Sequence, residues 1–139
     1  MGSKITMIER SDIMHQLLAD GIKTAREAGG RHKEIVDRMS LIFGDSISLL
    51  PHMKADVIVI DPMHPPRHKS ALVKGEMRAI RAIVGVDDDQ LLLIKTALSV
   101  ASKRVVLKWP AKATPLDGLR SPSHQIIGKS IRYDVFMIR

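Results

Sequence analysis

The chain has 139 residues, 45% hydrophobic and 27% charged, which suits one domain with a modest core and argues against wholesale disorder. Its 22 Lys and Arg against 15 Asp and Glu leave a formal charge of +7, which favours a polyanionic partner, nucleic acid first and an anionic membrane surface second. It contains no cysteine, which excludes disulfides and thiolate chemistry and suits a reducing cytoplasm, and no apolar run approaches the roughly 20 residues of a membrane-spanning helix.

Short β-rich runs alternate with helical patterns, so the expected class is α/β with a largely parallel sheet in one domain spanning residues 1–139. The first predicted strand covers residues 4–8 and ends on Glu9. Ser11 or Asp12 can cap the following helix, whose apolar stripe is Met14, Leu18, Ile22 and Ala25. Gly29 and Gly30 end it, and residues 31–38 read as a polar connection. A second strand, 40–43, leads into Gly44, Asp45 and Ser46, and residues 47–50 read as one helical turn stopped by Pro51.

The third strand, 56–60, is almost continuous Val and Ile, the pattern of a strand buried on both faces. It ends at Asp61 and Pro62, because proline restricts the residue before it and cannot donate to the ladder. A helix is expected over 70–84 and another from an Asp87–Gln90 cap to about residue 102. A fourth strand follows at 104–108, closed by Trp109 and Pro110. Residues 111–122 hold two prolines and one glycine and read as a loop, and strands at 124–128 and 133–138 form an antiparallel pair.

Ligands of doubly wound sheets sit beyond the carboxyl ends of the strands, which singles out Glu9, Asp45 and Asp61. A carboxylate there can accept hydrogen bonds from both hydroxyls of a ribose, and Glu9 fits that role. Any one of the three alone is more commonly a solvated strand end. The Asp61–Pro62 pair sets a carboxylate beside a backbone carbonyl at the edge of a cleft. Two acceptors together can hold an exocyclic amino group whose lone pair attacks a methyl donor, which is catalysis by positioning. Asp-Pro in isolation is more often a turn, so its weight comes from the buried strand before it.

Downstream, Arg67, Lys69, Lys74, Arg78 and Arg81 stand against the single acid Glu76, a basic segment able to touch phosphates or simply to face solvent. His64 and His68 lack a carboxylate–histidine cluster around them, so no metal site is expected. Trp109 could stack on a base, though a lone Trp after a strand more often packs. No two of the nine glycines are separated by a single residue as G-x-G, so the dinucleotide fingerprint is absent, as are a Walker-type loop and a serine elbow.

The run Asp61-Pro62-Met63-His64-Pro65, then 69–74 (KSALVK), then Glu76-Met77-Arg78, resembles the RsmJ-type 16S ribosomal RNA (guanine-N2-)methyltransferases. The likeness continues through 103–108 (KRVVLK) and Pro110 to Arg132-Tyr133-Asp134, and it includes Met7-Ile8-Glu9-Arg10 upstream. The resemblance implies a class I, Rossmann-like methyltransferase fold, S-adenosylmethionine as methyl donor and a guanine of small-subunit ribosomal RNA as acceptor. It implies that Glu9 binds the cofactor's ribose, that Arg10 also binds the cofactor, that Asp45 and Ser46 lie near its adenine, and that Asp61, Pro62 and His64 form the catalytic site. It casts Arg67, Lys69, Lys74 and Arg78 as RNA contacts. His64 departs from the aromatic Phe usual in the family at that place, which alters base stacking there.

A larger departure concerns the family's first strand and glycine-rich loop, which precede the segment matching residues 7–10 and have no counterpart in this sequence. In that fold the strand is central, between the strands at 4–8 and 56–60, so the sheet is expected to break there and expose unpaired edges. A shortened chain, a truncated gene product or a partner supplying the piece would each explain this, and a sheet that closes without it requires the strand at 4–8 to pair differently, as by exchange with a second copy. The main rival, from a different class, is a non-catalytic RNA-binding remnant, and a second is a methyltransferase acting on amino groups of DNA or protein.

Overall fold

The computed structural model describes residues 2–62 and 89–139. In chain order these form β1 (Ile5–Glu9), α1 (Asp12–Glu27), α2 (Gly30–Val36), β2 (Met39–Phe43), α3 (Ser46–Leu49) with a 3-10 turn at Leu50–His52, and β3 (Ala55–Ile60). After the undescribed stretch come α4 (Gln90–Val100), β4 (Ala101–Pro110), β5 (His124–Ile127) and β6 (Ile131–Met137). The helix expected over 70–84, its apolar stripe, and Asp87 of the expected cap lie outside the described residues.

Two sheets result, and the division falls where the sequence predicts it. β1 pairs parallel with β2, while β3, β4, β6 and β5 form a second sheet in that order. Within the second sheet β3 and β4 run parallel, whereas β6 is antiparallel to both β4 and β5. Among the described residues β1 and β3 therefore each have one strand neighbour and one unpaired edge.

The core lies under the second sheet. Ile58, Ile60, Val105, Leu107, Trp109 and Phe136 of the strands pack with Leu50 and with Ile94 and Ala97 of α4. Ile94 and Ala97 are three positions apart, hence on one helix face, and both are fully buried. A side chain the size of Ile94 contributes roughly 1.5–3 kcal/mol on leaving water, Ala97 considerably less. Ile8 of β1 packs against this cluster, so the two-stranded sheet is docked onto the larger one.

Ser11 caps α1, accepting from the Met14 amide at 3.4 Å, and the predicted stripe of Met14, Leu18, Ile22 and Ala25 is the half-buried face of that helix. Four readings change. Residues 31–36 are helical, because Gly29 and Gly30, with φ of 70° and 52°, turn the chain sharply enough to restart a helix and Val36 is buried under it. Lys33 and Arg26 both pair with Asp37 just past its end. Pro51 lies inside the 3-10 turn rather than ending the helical segment, since an early helical position needs no amide donor. β3 is buried on one face only, with Val57 39% and Val59 66% exposed beside buried Ile58 and Ile60. β4 is twice the expected length, beginning at Ala101 directly from the end of α4.

Arg132 and Asp134 form a buried ion pair at 2.9 Å on β6. Nη1 of Arg132 also donates to the carbonyls of Pro110, Ala111 and Ala113, and Asp134 accepts from Gln125. This one guanidinium fastens the start of the loop after β4 to the sheet. Trp109 is buried, and its indole N–H donates to the Thr114 carbonyl at 3.0 Å, so it packs the same loop rather than stacking on a ligand.

Candidate functional site at the strand ends

Four strands bring polar residues to their carboxyl ends. In the first sheet Glu9 is level with Phe43, and the Gly44 amide donates to the Glu9 carbonyl at 3.0 Å, which draws the start of the next segment across the end of β1. Gly44 has φ of 152°, and a Cβ there would meet Leu49 at 2.8 Å, so only glycine makes this turn comfortably. The turn delivers Asp45 and Ser46 beside Glu9.

Their carboxylates are unequally committed. Oε1 of Glu9 accepts from the Ser11 amide at 2.7 Å, leaving Oε2 to a further donor. Asp45 uses both oxygens internally: Oδ1 accepts from the Ile47 amide at 3.2 Å and Oδ2 from the Ser48 hydroxyl at 3.4 Å. Its visible work is to cap α3, while the Ser46 side chain stands half-buried next to it. Arg10, next after β1, pairs with Asp89 at 3.0 Å, which ties the end of the first sheet to the residue before α4.

In the second sheet Asp61 follows β3 and is exposed, whereas Pro62 is buried. Lys108 of β4 donates to Oδ2 of Asp61 at 2.7 Å. The structure thus brings Glu9, Asp45 and Ser46 together at one place and Asp61, Pro62 and Lys108 at another. Lys108 is a site neighbour that lies within β4 and is no strand-end acid. Its signal is the register of two strands 47 residues apart, with Ile60 level with Leu107, which no local pattern reveals. His64, Arg67, Lys69, Lys74 and Arg78 lie outside the described residues. Among the described residues no three His, Asp or Glu converge as a metal site, and no helix is long and apolar enough to cross a membrane.

The donor set suits the adenosine portion of a nucleotide-like ligand. A carboxylate oxygen like Oε2 of Glu9 can accept from ribose hydroxyls, and the Gly44 backbone lies across the end of the same strand. Parallel strands with helical connections and polar groups gathered at their carboxyl ends define the nucleotide-binding α/β class.

The family model described as "Putative SAM-dependent methyltransferase" matches residues 1–138, and the chain belongs to this family. It is 59% identical over 138 residues to the ribosomal RNA small subunit methyltransferase J of Agrobacterium fabrum, a match covering 99% of this chain and 66% of that protein. The protein of the same name from Brucella anthropi is 60% identical over 137 residues, again covering 99% of this chain and 67% of the relative. For that of Thioalkalivibrio sulfidiphilus the figures are 45% identity and 54% of the relative's length. The chain thus spans between about half and two thirds of these curated relatives, and it matches their C-terminal part.

Among solved structures it is similar to a SAM-dependent methyltransferase from Neisseria gonorrhoeae. The TM-score is 0.71 at 30% identity, and the match covers 96% of this chain and 55% of the other. A conserved hypothetical protein of Streptococcus pyogenes shares the fold, with a TM-score of 0.51 at 12% identity. The fold is accordingly the Rossmann-like methyltransferase sheet, interrupted among the described residues between β1 and β3.

Proposed function

We propose that this chain carries the acceptor site and the adenosine-binding side of an S-adenosylmethionine-dependent methyltransferase acting on the exocyclic N2 of a guanine in 16S ribosomal RNA. The observation that carries the reading is Asp61–Pro62 at the end of β3, in a chain that matches relatives named as ribosomal RNA small subunit methyltransferases along 99% of its length. S-adenosylmethionine supplies a methyl group on a sulfonium, already activated for attack. The chain's own residues then have only to hold things in place. Glu9 accepts from the ribose hydroxyls, Arg10 fixes the end of β1, and Ser46 with the Asp45 backbone borders the adenine. The Asp61 carboxylate and the Pro62 carbonyl accept the two amino hydrogens, which aligns the nitrogen lone pair with the methyl group.

His64, next after Met63, borders the base, and Arg67, Lys69, Lys74 and Arg78 neutralise RNA phosphates without reading sequence. The partner is small-subunit ribosomal RNA, and the absence of cysteine agrees with a cytoplasmic location. The gap between β1 and β3 takes one further parallel strand, supplied by the part of the whole protein that precedes this match in its relatives. That strand would carry the loop that embraces the methionine portion of the cofactor.

Two experiments test the reading. In calorimetry the chain alone binds S-adenosylmethionine weakly. Joined to the portion of the Agrobacterium relative that its match leaves uncovered, it reaches ordinary micromolar affinity. Equal affinity in both forms contradicts the role given to the gap. With labelled cofactor and RNA, DNA and protein offered in competition, the joined form labels 16S ribosomal RNA. Label in DNA or protein points to the rival acceptors. Salt-dependent RNA binding without any labelling points to a non-catalytic remnant.

A further inference from the structure

The geometry points to Lys108 as the positioning residue that sets the Asp61 carboxylate for acceptor binding, an inference that rests on the role proposed above for Asp61. In the parallel β3–β4 ladder Ile60 is level with Leu107, so the next rung sets Asp61 beside Lys108 on the same sheet face. The contact is made, with Nζ donating to Oδ2 at 2.7 Å. Pro62 fixes the backbone immediately after the aspartate, which leaves the side-chain torsions of Asp61 as the freedom still to be restricted.

With Oδ2 engaged by the lysine, Oδ1 is the oxygen left for an amino N–H, and the Pro62 carbonyl is the second acceptor. In the transfer the amino lone pair forms the new nitrogen–carbon bond. The carbon–sulfur bond breaks with its electron pair retained by sulfur, and the nitrogen releases one proton to water. That displacement needs the lone pair along the carbon–sulfur axis, so a carboxylate free to rotate leaves the nucleophile misaligned. Lys108 acts through Asp61 and touches no reacting atom.

The bland alternative is a surface ion pair. The two side chains are 36% and 59% exposed, so the pair adds little to stability. For that reason its removal reads out on alignment and not on folding.

Lys108→Met and Lys108→Arg are compared with the unaltered chain by two measurements. Side-chain NMR couplings of isotope-labelled Asp61, taken on the chain itself, are expected to show one dominant rotamer in the unaltered chain and in Lys108→Arg, and averaging in Lys108→Met. One unchanged rotamer in Lys108→Met overturns the proposal, whatever the activity. In methyl transfer to 16S ribosomal RNA by the joined form, Lys108→Met is expected to lower kcat about 100-fold. KM for RNA and Tm hold, and Lys108→Arg recovers most of the rate. A raised KM with unchanged kcat makes Lys108 a phosphate contact and likewise overturns the proposal. Full activity in Asp61→Ala would instead sink the reading of Asp61, and the rotamer comparison would still judge the Lys108 contact.

Discussion

Two carboxylates bracket β3, and each meets a lysine of β4: Asp56 near its start pairs with Lys103, and Asp61 past its end pairs with Lys108. Hydrogen bonds from Lys103 and Ser102 hold the Asp56 carboxyl below its ordinary value, and those from Lys33 and Arg26 do the same for Asp37. A depressed carboxyl adds stability above its unfolded-state value and loses that contribution as pH falls through its folded-state value. Thermal melts taken at intervals from roughly pH 5 down to 2 should therefore show Tm falling, and the fall should be shallower in Asp56→Asn and in Asp37→Asn. Both groups are exposed, so the differences will be small and will shrink further in added salt. The three strand-end acids were legible as residues because a carboxylate following a β-rich run stands out locally. That Asp45 spends both oxygens on α3 was not, since capping depends on the path the chain takes after Gly44.

Elements with strong local grammar came through, and those decided by distant partners did not. Ser11 and the four-residue spacing of the α1 stripe are local, and the structure reproduces both. Ser11→Ala should cost about 1 kcal/mol in denaturant titrations through loss of the cap. The helix at Gly30–Val36 looked like a polar linker because one buried residue, Val36, and an ion-paired end carry it instead of an apolar face. β3 looked buried on both sides because Val and Ile favour strands wherever they stand, whereas the exposure of Val57 and Val59 depends on what covers that face. The closing hairpin was legible, but the clamp within it was not, because Arg132 reaches loop carbonyls about 20 residues away. Arg132→Met should destabilise by about 3–5 kcal/mol, since it strands Asp134 as a buried unpaired charge. Arg132→Met with Asp134→Leu should recover a good part of that loss, and equal losses in the single and double variants would show that the pair matters little.

At the scale of the whole molecule, the interruption between β1 and β3 is what separates this chain from a continuous methyltransferase sheet. Ile8 and the Arg10–Asp89 pair hold the smaller sheet against the larger, yet among the described residues each facing strand keeps an unpaired edge. Backbone groups left so are templates for another strand. Amide exchange at those amides of Ile5–Glu9 and Ala55–Ile60 that face away from β2 and β4 should therefore be fast in the chain alone and markedly slower in the joined form. Similar rates in both forms would mean that the added segment lies elsewhere. The family was legible in the sequence because its signature residues cluster around Asp61, and the place of the break followed from the family's strand order.

Everything proposed for the site converges on one carboxylate. The most direct measurement follows methyl label from S-adenosylmethionine into 16S ribosomal RNA by the joined form and locates the modified atom by mass spectrometry, for the unaltered sequence and for Asp61→Ala. Label on guanine N2 that falls at least about 100-fold in Asp61→Ala, with Tm unchanged, is the expected result. Label on another atom, or transfer that persists undiminished without the carboxylate, would contradict it.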